Sequence, residues 1–264
     1  MIELSSTKDA VAAVGRARTI EAEAYTLHGE VLYALEDAAR RGAHVIVRLE
    51  SKPFKNPNLA KENQRVVDAL RAAGADAALD HPLHAKTIEA DRTLYLDDQN
   101  WGHHDLVLRD DDPAGVVMRK SEALAREALL LKESGGAGAI VETESFGRYN
   151  PVSAALERLA RDGKAPRLLV SERDLRGNSK ERAALATLAA EGVAVRTCEN
   201  SEKFALTGDR AWVGSANATV AFGESDMTDW GLCTDDATIV DAVRSRIEAR
   251  WNDAKPFLAP QRSE

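Results

Sequence analysis

The chain is short of cysteine, of net positive charge, of long apolar runs and, in its second half, of histidine. Only two cysteines occur in 264 residues, Cys198 and Cys233. Their spacing is not that of a metal site, so a reduced, cytoplasmic setting is expected and both are read as small residues buried in strands. The formal net charge is −8. That disfavours a nucleic-acid binder with one broad basic face, although a narrow basic cleft stays open. No apolar stretch approaches the roughly 20 residues that cross a bilayer. No basic amphipathic helix marks a membrane-surface protein. The segment from Met1 to Asp9 has no basic region followed by an apolar run, so no signal peptide is expected. All six histidines (28, 44, 81, 84, 103 and 104) lie in the first 104 residues. Any chemistry that needs imidazole must draw it from there.

What is present is core and periodicity. At 44% hydrophobic and 30% charged, the chain can bury one large core or two smaller ones. Thr7–Ala17 reads as a helix and 20–27 as a strand. The spacing of Val31, Leu32, Leu35, Ala38 and Ala39 predicts a helix stopped by Gly42, with Arg40 and Arg41 complementing its dipole. A strand at 44–49, a loop at 51–58, a helix at 60–73 closed by Gly74 and a strand at 75–79 follow. The same order then returns: a strand at 139–145, a helix opened by Asn150-Pro151 and stopped by Gly163, a strand at 167–171, a helix at 179–191 and a strand at 193–197. A closing helix carries Ile239, Ala242, Val243, Ile247 and Trp251, and the tail beyond Pro256 is expected to fray. Gly42 and Gly163 lie 121 positions apart, Lys86 and Lys203 117, and Asn100 and Asn217 again 117. The near-constant offset predicts a duplicated α/β unit, with halves at 1–133 and 134–264 joined through a helix at 120–131 and a Gly-rich linker at 133–138. Alternating strands and helices imply mainly parallel or mixed sheets flanked by helices.

Each half carries one basic segment after its last strand. The first is His84-Ala85-Lys86, four residues and Asp91, with Asn100 beyond. The second has Lys203, then Gly214, Ser215 and Asn217. This pattern resembles the phospholipase D superfamily, whose motif is His-x-Lys, four residues, Asp and then Gly-Ser-x-Asn. The likeness covers nearly the whole chain and takes in the Arg40-Arg41-Gly42 run and Asp229-Trp230-Gly231. The departures are specific. Asp97-Asp98 replaces Gly-Ser in the first copy and reads as a turn pair facing solvent, the alternative being a carboxylate that orients lysine or histidine. In the second copy Ser201 stands where histidine is expected and Gly208 where aspartate is, with Asp209 one residue late.

The resemblance implies two pseudo-symmetric α/β lobes with the site at their interface, and a phosphodiesterase that works through a phosphohistidine. His84 is then the nucleophile, Asp91 a supporting carboxylate, Lys86 and Lys203 the catalytic cations, and Asn100, Ser215 and Asn217 the phosphate ligands. Neutral imidazole is a competent nucleophile near neutrality, and covalent catalysis divides a hard displacement into two easier ones. No cofactor or metal is implied. Neither the substrate (phospholipid, nucleic acid or a small phosphodiester) nor the oligomeric state can be read. The missing acid/base leaves His28, His103, Ser201 and Glu202 as candidate substitutes. The alternative is a phosphate-binding module of the same fold that has lost turnover.

Overall fold

Short-range chemistry sets where the helices begin and end. In the computed structural model, which describes residues 2–54, 56–111, 115–133, 138–200, 202–219 and 227–258, Asn150 accepts from the amides of Val152 and Ser153, and Pro151 opens the helix behind it. Asn56 caps the amide of Leu59 ahead of Pro57. That helix therefore starts at Pro57, inside the expected loop, because the cap and the proline together favour a first turn. Gly74 ends it in the left-handed conformation, with φ of 103°.

Two units divide the chain, Met1–Arg119 with Asp226–Trp230 and Lys120–Ser225 with Gly231–Glu264. The first contains β1 (Ile2–Ser5), α1 (Thr7–Val14), β2 (Thr19–Ala24), α2 (Gly29–Arg40), β3 (His44–Glu50), α3 (Pro57–Ala73), β4 (Asp76–Asp80), β5 (Thr87–Ala90), β6 (Thr93–Asp97), β7 (Val107–Asp110) and β8 (Val117–Arg119). Seven strands form one mixed sheet in the order β1-β7-β6-β5-β2-β3-β4, with β2, β3 and β4 parallel and the other pairs antiparallel. Ile20, Val47, Leu49 and Ile88 of the sheet pack with Val31 and Leu35 of α2 and Val67 and Leu70 of α3 in one buried core.

The second unit contains α4 (Lys120–Glu133), β9 (Ile140–Thr143), α5 (Pro151–Arg161), β10 (Arg167–Ser171), α6 (Glu172–Leu175), α7 (Ser179–Ala190), β11 (Ala194–Cys198), β12 (Phe204–Thr207), β13 (Arg210–Gly214), β14 (Thr228–Thr234), α8 (Ala237–Asp253) and β15 (Lys255–Pro256). Its order β13-β12-β9-β10-β11 repeats β6-β5-β2-β3-β4 of the first unit, again with a parallel trio beside an antiparallel hairpin. The duplication read from the sequence is thus present in the sheet topology. β14 serves both units: Thr228, Asp229 and Trp230 pair with β8, and Gly231 to Thr234 pair with β13.

Three expectations shift. The helix at 120–131, expected to connect the two halves, is α4 of the second unit and packs on α5, β12 and β13, because its buried face of Ala123, Leu124, Ala128 and Leu131 needs an apolar partner. Cys198 and Cys233 lie in strands but are only partly buried. Asp97 and Asp98 face the interior, not solvent. Residues 134–137 of the expected linker and the tail from 259 lie outside the described residues.

Buried charge holds α8 to the second sheet. Arg250 reaches Glu142 at 2.6 Å and also pairs with Glu202, while Arg246 reaches Glu202 at 2.7 Å. Burial still holds the Glu142 carboxyl above its usual range despite Arg250 beside it. Removing one partner of such a pair leaves a charge stranded in the interior, so Arg250→Met is expected to cost about 3–5 kcal/mol in chemical denaturation. Glu181, on the first turn of α7, accepts from the Phe146 amide at 2.7 Å and the Asn178 side chain at 2.8 Å. Burial raises its pKa from 4.5 to about 7. The folded state therefore holds this proton more tightly, so the stability that Glu181 contributes is complete below pH ~4.5 and is lost as pH rises through ~7, up to about 3 kcal/mol. Thermal denaturation of Glu181→Gln should show a smaller decline from pH 5 to pH 8 than the parent chain shows.

Candidate active site

The first unit assembles its site around the turn between β4 and β5. This turn runs His81-Pro82-Leu83-His84-Ala85-Lys86, with a cis bond between His81 and Pro82. The start of β14 fixes it. The Thr228 carbonyl accepts from the amides of both His84 (2.8 Å) and Ala85 (2.6 Å), and the Thr228 amide donates to Pro82 O at 3.0 Å. One residue further on, Asp229 comes under the imidazole. Its Oδ1 lies 2.8 Å from His84 Nδ1, and the carboxylate is fully buried while the histidine side chain is 16% exposed. Trp230 follows and donates its indole N–H to Asp97 O at 2.9 Å.

With Asp229 accepting from Nδ1–H, the neutral ring carries its lone pair on Nε2. Lys86 Nζ sits 3.3 Å from that nitrogen and donates to His84 O at 2.7 Å. The ammonium is nearly fully buried, and it lies 5.8 Å from the centre of the Tyr25 ring. Tyr25 also meets the His84 ring edge-on, with centroids 5.3 Å apart. Its hydroxyl accepts the Phe54 amide at 2.7 Å. The set comprises an oriented imidazole, a cation at its nucleophilic nitrogen and an aromatic wall. It can attack an electrophilic phosphorus and place positive charge on the oxygens of that group.

The structure separates Asp91 from this set. Asp91 sits in the β5–β6 turn at φ 57°, and its Oδ1 accepts from the amides of Arg18 and Thr19 and from the Thr19 hydroxyl. Those backbone bonds hold its carboxyl below the usual range. Four residues of extended strand, roughly 14 Å, lie between it and Lys86, so the carboxylate on His84 is Asp229 and Asp91 is a turn clamp. Asn100 follows β6 in a half-buried loop and donates its amide to Asp105 at 3.2 Å. In the place of Gly-Ser, Asp97 accepts from the amides of Gln99 and Trp101, and Asp98 from that of Leu106. Burial, with Asp98 and Asp105 nearby, pushes the Asp97 carboxyl well above its ordinary value.

The substitutes for the acid/base are placed unequally. His28 is exposed at the N-cap of α2, and His103 is exposed in the turn after Trp101. Ser201 lies outside the described residues. Glu202 is buried and committed to Arg246 and Arg250, so it has no open carboxylate to offer. In the second unit Lys203 is buried with Nζ 3.4 Å from Glu144, which also pairs with Arg173. Ser215 is fully buried behind β13. Asn217 Oδ1 accepts from the Ser145 amide at 3.3 Å and the Thr143 hydroxyl at 3.4 Å. Among the described residues, no group of three or more His, Cys, Asp or Glu side chains is placed to hold a metal ion. No described helix is long and apolar enough to cross a membrane.

Sequence reasoning missed Asp229 as the histidine's partner, and Tyr25 altogether. The Asp229-Trp230-Gly231 run was the one available signal, because it stood out without a role.

No family model matches the chain, and no curated protein matches it by sequence. Solved structures do. A phosphatidylserine synthase from Haemophilus influenzae Rd KW20 aligns over 97% of this chain and 87% of its own, at 10% identity and a TM-score of 0.66. A polyphosphate kinase from Porphyromonas gingivalis aligns over 96% of this chain at 15% identity and a TM-score of 0.62, and this chain spans 47% of that protein, about half its length. Nuc from Salmonella typhimurium, a phospholipase D family member, aligns over 53% of this chain at 20% identity and a TM-score of 0.45. At these identities the likeness is one of fold.

The division of labour between the two aspartates can be measured. Asp229→Asn should shift the imidazole ¹⁵N resonances of His84 toward a mixture of tautomers while leaving the denaturation midpoint close to that of the parent. Asp91→Ala should lower the midpoint and leave those resonances in place.

Proposed function

Because the chain carries the phospholipase D superfamily fold, we propose that it transfers a phosphoryl group from a phosphodiester through a covalent intermediate on His84. One observation carries the reading: the Nδ1 of His84 is held by a fully buried carboxylate while Nε2 faces the Lys86 ammonium. That is the arrangement of an activated nucleophile. Nε2 attacks phosphorus, and the Asp229 carboxylate supports the positive charge that develops on the ring. Lys86 holds a non-bridging oxygen, and Asn100 is assigned to the same phosphate. Charge on those oxygens then meets a cation already in place, which lowers the barrier without reorganisation. Water later attacks the phosphohistidine and frees the ring. The substrate class is a phosphodiester, whether of a lipid head group, a nucleic acid strand or a small molecule. The acidic balance of the chain, −8 overall, argues against an extended nucleic-acid footprint. Lys203 and Asn217 are already engaged by Glu144 and Ser145, and this reading gives them no step.

A second reading, a phosphate-binding module without turnover, is favoured by the second copy. There serine replaces histidine at 201, and the adjacent Glu202 is tied to two arginines. Release of nitrophenol from bis-p-nitrophenyl phosphate decides between the two. The enzyme reading expects turnover that falls to background in His84→Asn, by more than about 10³-fold. It also expects an acid-labile phosphoryl adduct on His84, found by mass spectrometry after rapid quenching at alkaline pH. Equal rates for parent and variant, together with binding of inorganic phosphate by calorimetry, would establish the module instead.

A further inference from the structure

We propose that His81, oriented by Glu50, supplies the general acid and base for the reaction at His84. It takes the place of the histidine that the second copy lacks. This inference rests on the reading of His84 as a phosphoryl-transfer nucleophile.

Glu50 ends β3 with its side chain fully buried. Its Oε1 accepts from the Lys52 amide at 2.6 Å and lies 2.7 Å from His81 Nδ1, and its Oε2 accepts from the Leu83 amide at 2.6 Å. A buried carboxylate is costly unless its lone pairs are filled. The two backbone amides already do much of that and anchor the turn, so the imidazole is an addition that turn geometry alone does not require. The same pairing recurs three residues later. His84 Nδ1 rests on Asp229 as His81 Nδ1 rests on Glu50, and both carboxylates are fully buried. In each case the carboxylate fixes the tautomer and can support an imidazolium. The rings differ in exposure: the His84 side chain is 16% exposed and that of His81 is 41%. Holding Nδ1 in this way leaves the Nε2 of His81 on the open side of the ring.

The two pairs share one framework. Asn63, fully buried on α3, donates from a single nitrogen to Glu50 O and to Tyr25 O, at 2.8 Å each. The ring of that same Tyr25 packs against His84. In-line transfer needs the attacking nitrogen and the acid's nitrogen roughly 7–8 Å apart, with the phosphorus and the leaving oxygen between them. Three residue steps place the two α-carbons at most about 11 Å apart, a backbone separation that permits both rings to meet one phosphoryl group.

The steps balance as follows. The Nε2 lone pair of His84 forms the N–P bond as the P–O bond to the leaving group breaks. The imidazolium of His81 gives its Nε2 proton to the departing oxygen, and an alcohol or phenol leaves. Neutral His81 then takes a proton from water as the water oxygen attacks phosphorus. The N–P bond breaks, its electron pair returns to His84, and the phosphomonoester leaves with His81 protonated again.

The test compares two leaving groups. Nitrophenolate departs without a proton, whereas unsubstituted phenolate, with a conjugate acid near pKa ~10, benefits from one. His81→Asn should therefore lose about 10²–10⁴-fold in kcat on diphenyl phosphate. On bis-p-nitrophenyl phosphate it should still release a first equivalent of nitrophenol at near-parental rate, as a burst, and then stall with the adduct on His84. Glu50→Gln should produce the same leaving-group discrimination to a smaller degree, and thermal denaturation checks that both variants fold. If the parent turns over both diesters and His81→Asn slows the first release of both leaving groups equally, or of neither, His81 has no acid/base role and the nucleophile assignment stands. Absence of any nitrophenol release by the parent would overturn the enzyme reading, and this inference with it.

Discussion

The first unit's site depends on one carbonyl group. Thr228 O takes the amide protons of both His84 and Ala85, which fixes the turn against the first residues of β14 before any side chain is considered. Two consequences follow from the pleat of a strand. Asp229, the next residue, is presented to the imidazole, and Trp230 turns the other way to seal against Asp97 O. Asp97 in turn donates its amide to Lys86 O at 2.9 Å. His84, its carboxylate Asp229 and the Lys86 ammonium are therefore coupled through main-chain bonds. Such bonds are insensitive to side-chain rotamer choice, and the role proposed for His84 needs that kind of support.

The two units share one plan of strands but use their buried charges differently. In the first, carboxylates end on imidazoles: Glu50 on His81 and Asp229 on His84. In the second, carboxylates end on guanidinium groups and an ammonium: Glu142 and Glu202 on Arg250, Glu202 on Arg246, and Glu144 on Lys203 and Arg173. A guanidinium stays charged at every accessible pH, so such pairs are permanent struts. A neutral imidazole carries both a donor and an acceptor nitrogen, so its pairs can pass protons. The repeated frame thus keeps its imidazole partners on one side only.

Much of this was legible in the residues. The strand and helix order, the caps at Asn150 and Gly74 and the internal repeat could all be read, because helix periodicity and turn chemistry are local. The pairing of His84 with Asp229 could not, since the two lie 145 residues apart and nothing in the spacing of Asp91 warns that an extended β5 carries it away. Asp97-Asp98 misled for the opposite reason. Two adjacent acids look like a solvated turn, and only the tertiary arrangement supplies the buried amides of Gln99, Trp101 and Leu106 that receive them. Glu202 shows a third kind of failure: a strand-entry glutamate reads as reactive until two arginines on a distant helix claim it.

The excursion of residues 226–230 into the first unit has a consequence for synthesis. A ribosome makes the first 119 residues long before it makes Thr228 and Asp229. Through that interval the nascent first unit has the strands of its sheet but lacks the carbonyl that closes its turn and the carboxylate that orients its histidine. The orientation of His84 by Asp229 is thus withheld until residues 228 and 229 have been made, more than 100 residues after the turn itself.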